Sequence, residues 1–151
     1  MNITEYPLLK IYFEEIQALN IAKRYLSLII LCGMFSEIFI RELTNNEQTL
    51  NFGRLLKQAL NQGLISVSQF ELINELRIYR NKYVHFSANK VMTESFDGLS
   101  VVYEDGTFDF INEIVNYNPN EENLEKVARL HLIEDAKHVH QLFQGLIDSL
   151  N

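Results

Sequence analysis

The sequence predicts an all-α fold: a bundle of four to five helices with a small β-hairpin inserted between the last two. Three observations carry this. The apolar stretch from Leu26 to Ile40 is broken only by Ser27, Gly33, Ser36 and Glu37, as in a helix buried on nearly every side. Apolar residues recur at helical spacing in the segments before and after it. Over residues 87–120 the texture changes. There Leu99-Ser100-Val101-Val102-Tyr103 and Phe108-Asp109-Phe110 flank Glu104-Asp105-Gly106-Thr107, a hairpin pattern around an Asp-Gly turn. At 151 residues, one domain over 1–151 is the simplest organisation and is large enough for a core.

The first helix is expected over 4–18, entered through Pro7 near its first turn, with Leu8, Leu9, Ile11, Tyr12, Ile16 and Leu19 as its apolar face. A longer helix is expected from about Asn20 to Leu43, ending where Asn45-Asn46 breaks the pattern. Gly33 in its middle costs helix stability and lets a neighbouring helix approach. A third helix runs from about Phe52 to Gln62 and is stopped by Gly63. Ser66 or Ser68 caps the fourth, with Glu71 completing a capping box from Ser68, and this helix extends to about His85. Asn116 to Asn120, containing Pro119, reads as loop, and a last helix spans about Glu121 to Ser149.

Several function classes are disfavoured by composition. The Leu26–Ile40 run is too short for a convincing membrane span, and no basic and apolar leader opens the chain. The lone Cys32, set in an apolar run, predicts a buried thiol without disulfides and a cytoplasmic location. No zinc-like Cys/His spacing is present, and no metal or other cofactor is expected. His131 and His138 lie two turns apart on the last helix with His140 beside them; lacking a further ligand nearby, they predict a polar helix face. The net charge of −7 argues against a general nucleic-acid coat, but it is uneven: −2 over residues 1–50, +4 over 51–90 and −9 over 91–151. A local positive site on an acidic body still steers a polyanion.

The positive block contains the stretch that looks chemical, Leu76-Arg-Ile-Tyr-Arg-Asn-Lys-Tyr-Val-His-Phe86. With 100° per residue from Ile73, the residues Leu76, Arg80, Tyr83 and Val84 fall within about 100° of one another. Arg80 thus sits in an apolar stripe, where a guanidinium that cannot lose its proton needs partners. Glu37, the one charge inside the apolar run, is the best candidate, and a Glu37–Arg80 pair would account for both anomalies. Arg77, Asn81 and His85 follow at i, i+4, i+8 as a polar edge beside the stripe. Arg77 and Lys82 are candidates for phosphate contact, and Tyr79 for stacking on a base, whereas Tyr83 is expected in the core.

Arg80-Asn81-Lys82-Tyr83-Val84-His85 has the form Arg, four residues, His, and resembles the signature of the HEPN superfamily of small helical bundles. The helix at 21–43, Leu64-Ile65, and the Leu76-Arg77 before the motif fall in that family's order, so the resemblance covers roughly residues 20–90. It implies a metal-independent endoribonuclease in a toxin or phage-defence setting. Arg80 and His85 would be its defining residues, and Asn81 the polar residue after the Arg. It also implies a homodimer that pairs two motif helices in a composite cleft, an RNA rather than DNA substrate, and an antitoxin or other regulatory protein as partner. Two departures stand out: Ser87 occupies the position where adenylylation-silenced toxins carry Tyr, and the C-terminal third is acidic.

Cleavage of RNA without a metal requires attack of a ribose 2′-oxygen on the adjacent phosphate, with one group moving a proton and cations stabilising the phosphate oxygens. Histidine suits the first task and arginine the second. On an ideal helix, however, Arg80 and His85 are about 140° apart, so either the helix end distorts near Val84 or two copies meet. The competing expectation is a non-catalytic regulatory or protein-binding bundle, as in HEPN-like proteins resembling the mannitol operon repressor.

Overall fold

The computed structural model describes residues 5–45, 50–85, 100–102, 108–110 and 121–150, with the backbone alone at 85, 100–102, 108–110 and 121–125. Among them are five helices: α1 (Pro7–Ile21), α2 (Tyr25–Thr44), α3 (Phe52–Asn61), α4 (Val67–His85) and α5 (Glu121–Leu150). The fold is an all-α bundle arranged around α2, which packs on α1, α3, α4 and α5.

The position of α2 follows from its sequence. Leu28, Ile29, Cys32, Phe35, Phe39 and Ile40 are all buried, and they point to more than one side of the helix. The hydroxyl that Ser36 brings into this core is satisfied within the helix, where it donates to the Gly33 carbonyl at 2.8 Å. From α5, Phe143 meets Phe35 edge-on at 5.1 Å between ring centroids, and Phe13 of α1 approaches the same ring at 6.1 Å.

The helix ends explain where boundaries fall. α1 continues to Ile21 rather than stopping near residue 18, and α2 starts at Tyr25 rather than about Asn20. The break is made by Lys23 in the left-handed region (φ 54°), with Arg24 N–H donating to Leu19 O at 2.9 Å. Lysine is not a usual residue for that conformation, which is why the turn carries no Gly or Pro signal. At the end of α2, Asn45 takes the left-handed conformation (φ 48°). Gly63 (φ 68°) does so after α3, closing it with Gly63 N–H to Leu60 O and Leu64 N–H to Ala59 O, both 3.0 Å.

Before α4 it is Ser66, not Ser68, that caps. Its Oγ accepts from Gln69 N–H at 3.1 Å while Gln69 Oε1 accepts from Ser66 N–H at 2.9 Å, so the reciprocal partner is Gln69 rather than Glu71. Strands β1 (Ser100–Val102) and β2 (Phe108–Phe110) pair antiparallel in the register Ser100↔Phe110, Val101↔Asp109, Val102↔Phe108. The expected Asp-Gly turn and the 116–120 loop lie outside the described residues. Among those described, no helix is long and apolar enough to cross a membrane.

Candidate functional site

The site is built where α4 crosses α2. Gly33 presents no side chain there, and the aliphatic stem of Arg80 lies directly over it. One turn further along α2, Glu37 receives the Arg80 guanidinium, Nη1 to Oε2 at 2.5 Å. The other carboxylate oxygen accepts from Arg41, at 2.7 Å from Nη2 and 3.1 Å from Nε. Two guanidiniums therefore share one carboxylate. Arg80 Nε and Nη2 make longer contacts to Asn81 Oδ1, at 3.4 and 3.3 Å, and its guanidinium carbon stands 5.9 Å from the centroid of the Phe52 ring on α3.

Glu37 and Arg80 keep only 22% and 20% of their side chains exposed, so neither charge is free in solvent. Burial by itself raises the Glu37 carboxyl pKa. Hydrogen bonds from Arg41 and Arg80, together with their charges, outweigh it and hold the group below the ordinary carboxylate value. The carboxylate is thus charged at neutral pH and fixes both arginines.

On the polar edge of α4, Arg77 donates from Nε and Nη2 to Asn74 Oδ1 at 3.1 and 2.9 Å. Its guanidinium lies against Gly53 of α3, 3.9 Å from where a β-carbon would stand. His85 is the last residue of α4, and its side chain lies outside the described residues. Because α4 is α-helical as far as His85, the angular separation of about 140° from Arg80 stands, and the helix end is not distorted near Val84. Val84 itself is 50% exposed, as is Ile78, so the apolar stripe of α4 ends at Tyr83.

The remaining candidates belong to the opposite side of α4, against α5. Lys82 is buried and its Nζ bonds Asp135 Oδ2 at 2.9 Å, while Tyr83 Oη donates to the same oxygen at 2.6 Å. Lys82 is therefore not a phosphate contact; its charge is used inside the bundle. Tyr79 stacks edge-on with the His138 ring at 5.4 Å, below the Lys82 ammonium at 5.3 Å, so its ring is not a free platform for a base. His138 Nε2 bonds Glu75 Oε1 at 2.7 Å. His131 is buried beside Asp135 and Lys82. Desolvation brings its pKa down to about 4, although Asp135 acts in the opposite direction. Among the described residues no group of three His, Cys, Asp or Glu side chains is placed to hold a metal ion.

Two partners were not singled out from sequence. Asp135 stands in the row Val127, His131, Asp135, Val139 at spacings of four, and a charge in an apolar row is the same signal that marked Glu37. Arg41 gave a weaker signal, being four residues after Glu37 and thus on its side of the helix.

No protein-family model matches this chain, nor does any curated protein or solved structure.

Proposed function

We propose that the protein is a metal-independent endoribonuclease of the HEPN type that acts as a cytoplasmic homodimer, in a toxin or phage-defence setting. The observation that carries the reading is the arginine of the Arg-x4-His motif. Its stem is seated on Gly33 and its guanidinium fixed by Glu37 and Asn81, five residues before His85, the last residue of α4. A pre-set cation of this kind stabilises developing charge on a phosphate without reorganising during reaction. Pairing two α4 helices through the edge bearing the exposed Ile78 and Val84, with the half-buried Asn81 between them, would bring one copy's Arg80 toward the other's His85. That arrangement solves the angular problem that a single helix leaves. In the reaction, His85 of one copy takes the 2′-hydroxyl proton as that oxygen bonds to phosphorus, the bond from phosphorus to the 5′-oxygen breaks, and the 5′-oxygen leaves with a proton from the other copy's His85, while Arg80 and Asn81 bind the phosphate oxygens. An antitoxin or other regulatory protein would cover the cleft.

A second reading, the non-catalytic regulatory bundle, is favoured by one observation: Glu37 already neutralises the Arg80 charge. Incubation of purified protein with total RNA and tRNA in excess EDTA separates the two, run beside folded Arg80→Ala and His85→Ala variants. The nuclease reading expects fragments with 2′,3′-cyclic phosphate ends that both variants fail to make. Intact RNA with a stable dimer, or equal cleavage by all three proteins, rejects it.

A further inference from the structure

We propose that Arg41, Arg77 and Arg80 together form a binding track for the phosphodiester backbone of single-stranded RNA, in which Arg77 holds a phosphate adjoining the one at Arg80. The choice of RNA rests on the nuclease reading; the track itself rests on the side chains.

Three guanidiniums from two helices gather at the start of α3. Arg41 Nη2 reaches the Leu50 carbonyl at 3.5 Å, Arg80 stands over Phe52, and Arg77 lies against Gly53. The acid in contact with them is Glu37, so the cluster carries +2 on a chain whose net charge is −7. Surplus positive charge held together on an acidic body is what attracts a polyanion.

The donors are not exhausted by their protein partners. Arg41 Nη1 is buried and has no hydrogen-bond partner among the described residues, so Arg41 contributes its charge to the track rather than a surface donor. Asn74 engages Nε and Nη2 of Arg77, so Nη1 remains on the Gly53 side. Gly53 leaves that approach unobstructed. The charges are also spread: Arg41 and Arg80 bracket one carboxylate, whereas Arg77 stands about one turn away along α4. A single small anion cannot span that arrangement, but successive phosphates of a strand can.

The test uses a fluorescent 2′-O-methyl oligoribonucleotide, which lacks the attacking 2′-hydroxyl, so that binding is read by anisotropy apart from cleavage. Arg77→Ala should weaken binding about tenfold and lower the salt dependence of log Kd by about 0.7, one phosphate contact to a single strand. Gly53→Glu should weaken it at least as much while leaving the fold intact, because an acid in the first turn suits α3. Lys10→Ala, which removes a surface charge on α1, should change nothing. Unaltered affinity in Arg77→Ala and Gly53→Glu overturns the track, as does equal competition by duplex DNA of the same length. Oligonucleotide binding with the expected losses, but without cleavage of unmodified RNA, would reject the nuclease reading and leave the track standing. Cleavage with unaltered binding in both variants would do the reverse.

Discussion

Gly33 on α2 and Arg80 on α4 occupy the same point of the helix crossing. A β-carbon on Gly33 would overlap Arg80 Cβ and lie 2.9 Å from Cγ and Cδ. The glycine is therefore a seat for the arginine rather than a gap in the helix. Gly33→Ala should push α4 away or drive Arg80 off Glu37, costing about 1–3 kcal/mol and lowering Tm by several degrees. Gly145→Ala on α5 is the control. A β-carbon there meets Leu72 at 3.7 Å, an ordinary contact, and the substitution should be neutral or stabilising by up to about 1 kcal/mol through helix propensity. Thermal melts of the two variants check both outcomes.

Glu37→Gln removes the charge that two partly buried guanidiniums share. Chemical denaturation at pH 7 should show a loss of roughly 1–3 kcal/mol, since the amide oxygen serves only one of Arg41 and Arg80, its NH2 faces the other, and the ion pair is lost. The pH dependence has a defined sign. A carboxyl with a depressed folded-state pKa stabilises the protein above its unfolded value of 4.5. That contribution is lost as pH falls below 4.5 and through the depressed folded value. Denaturation midpoints between pH 6 and pH 3 should therefore fall less steeply in Glu37→Gln than in wild type.

His131 should govern a separate window. It is held neutral in the fold, with its pKa lowered from 6.5 to about 4, so the unfolded chain binds the extra proton between those values. Stability should be full above pH 6.5 and fall as pH drops toward 4. Lys82 on α4 and Asp135 on α5 are the charged groups that act on the ring. His131→Gln should flatten the slope between pH 6.5 and 4; an unchanged slope would exclude His131 as its source.

Lys82→Met separates position in sequence from role. Although it lies inside the Arg-x4-His motif, Lys82 is spent on Asp135. Its replacement should leave RNA affinity and its salt dependence unchanged but destabilise the protein by roughly 1–3 kcal/mol, since Asp135 keeps only Tyr83 among these two partners. An affinity loss without destabilisation would contradict the placement of Lys82 within the bundle.

The readable parts of this sequence were those where one residue broke a strong pattern. Glu37 inside an apolar run and Arg80 inside an apolar stripe each demanded a partner, and periodicity alone placed both on inward faces. Gly63 and Asn45 marked helix ends because their residue types suit the left-handed backbone. Lys23 does the same job without that signature, so the sequence places the end of α1 about three residues and the start of α2 about five residues too early. The outward or inward sense of Lys82, Tyr79 and Val84 was not legible. It depends on where α5 docks along α4, and that docking is decided some fifty residues away by Asp135, His138 and the apolar row between them.

The sharing of one carboxylate by Arg41 and Arg80 also bears on how this protein can diverge. Loss of either arginine alone leaves the other to compensate, whereas loss of Glu37 strands both at once. Descendants of this chain should thus vary at 37, 41 and 80 as a linked trio. Position 41 would be the first to drift and position 37 the last, with residue 33 staying small for as long as an arginine persists at 80.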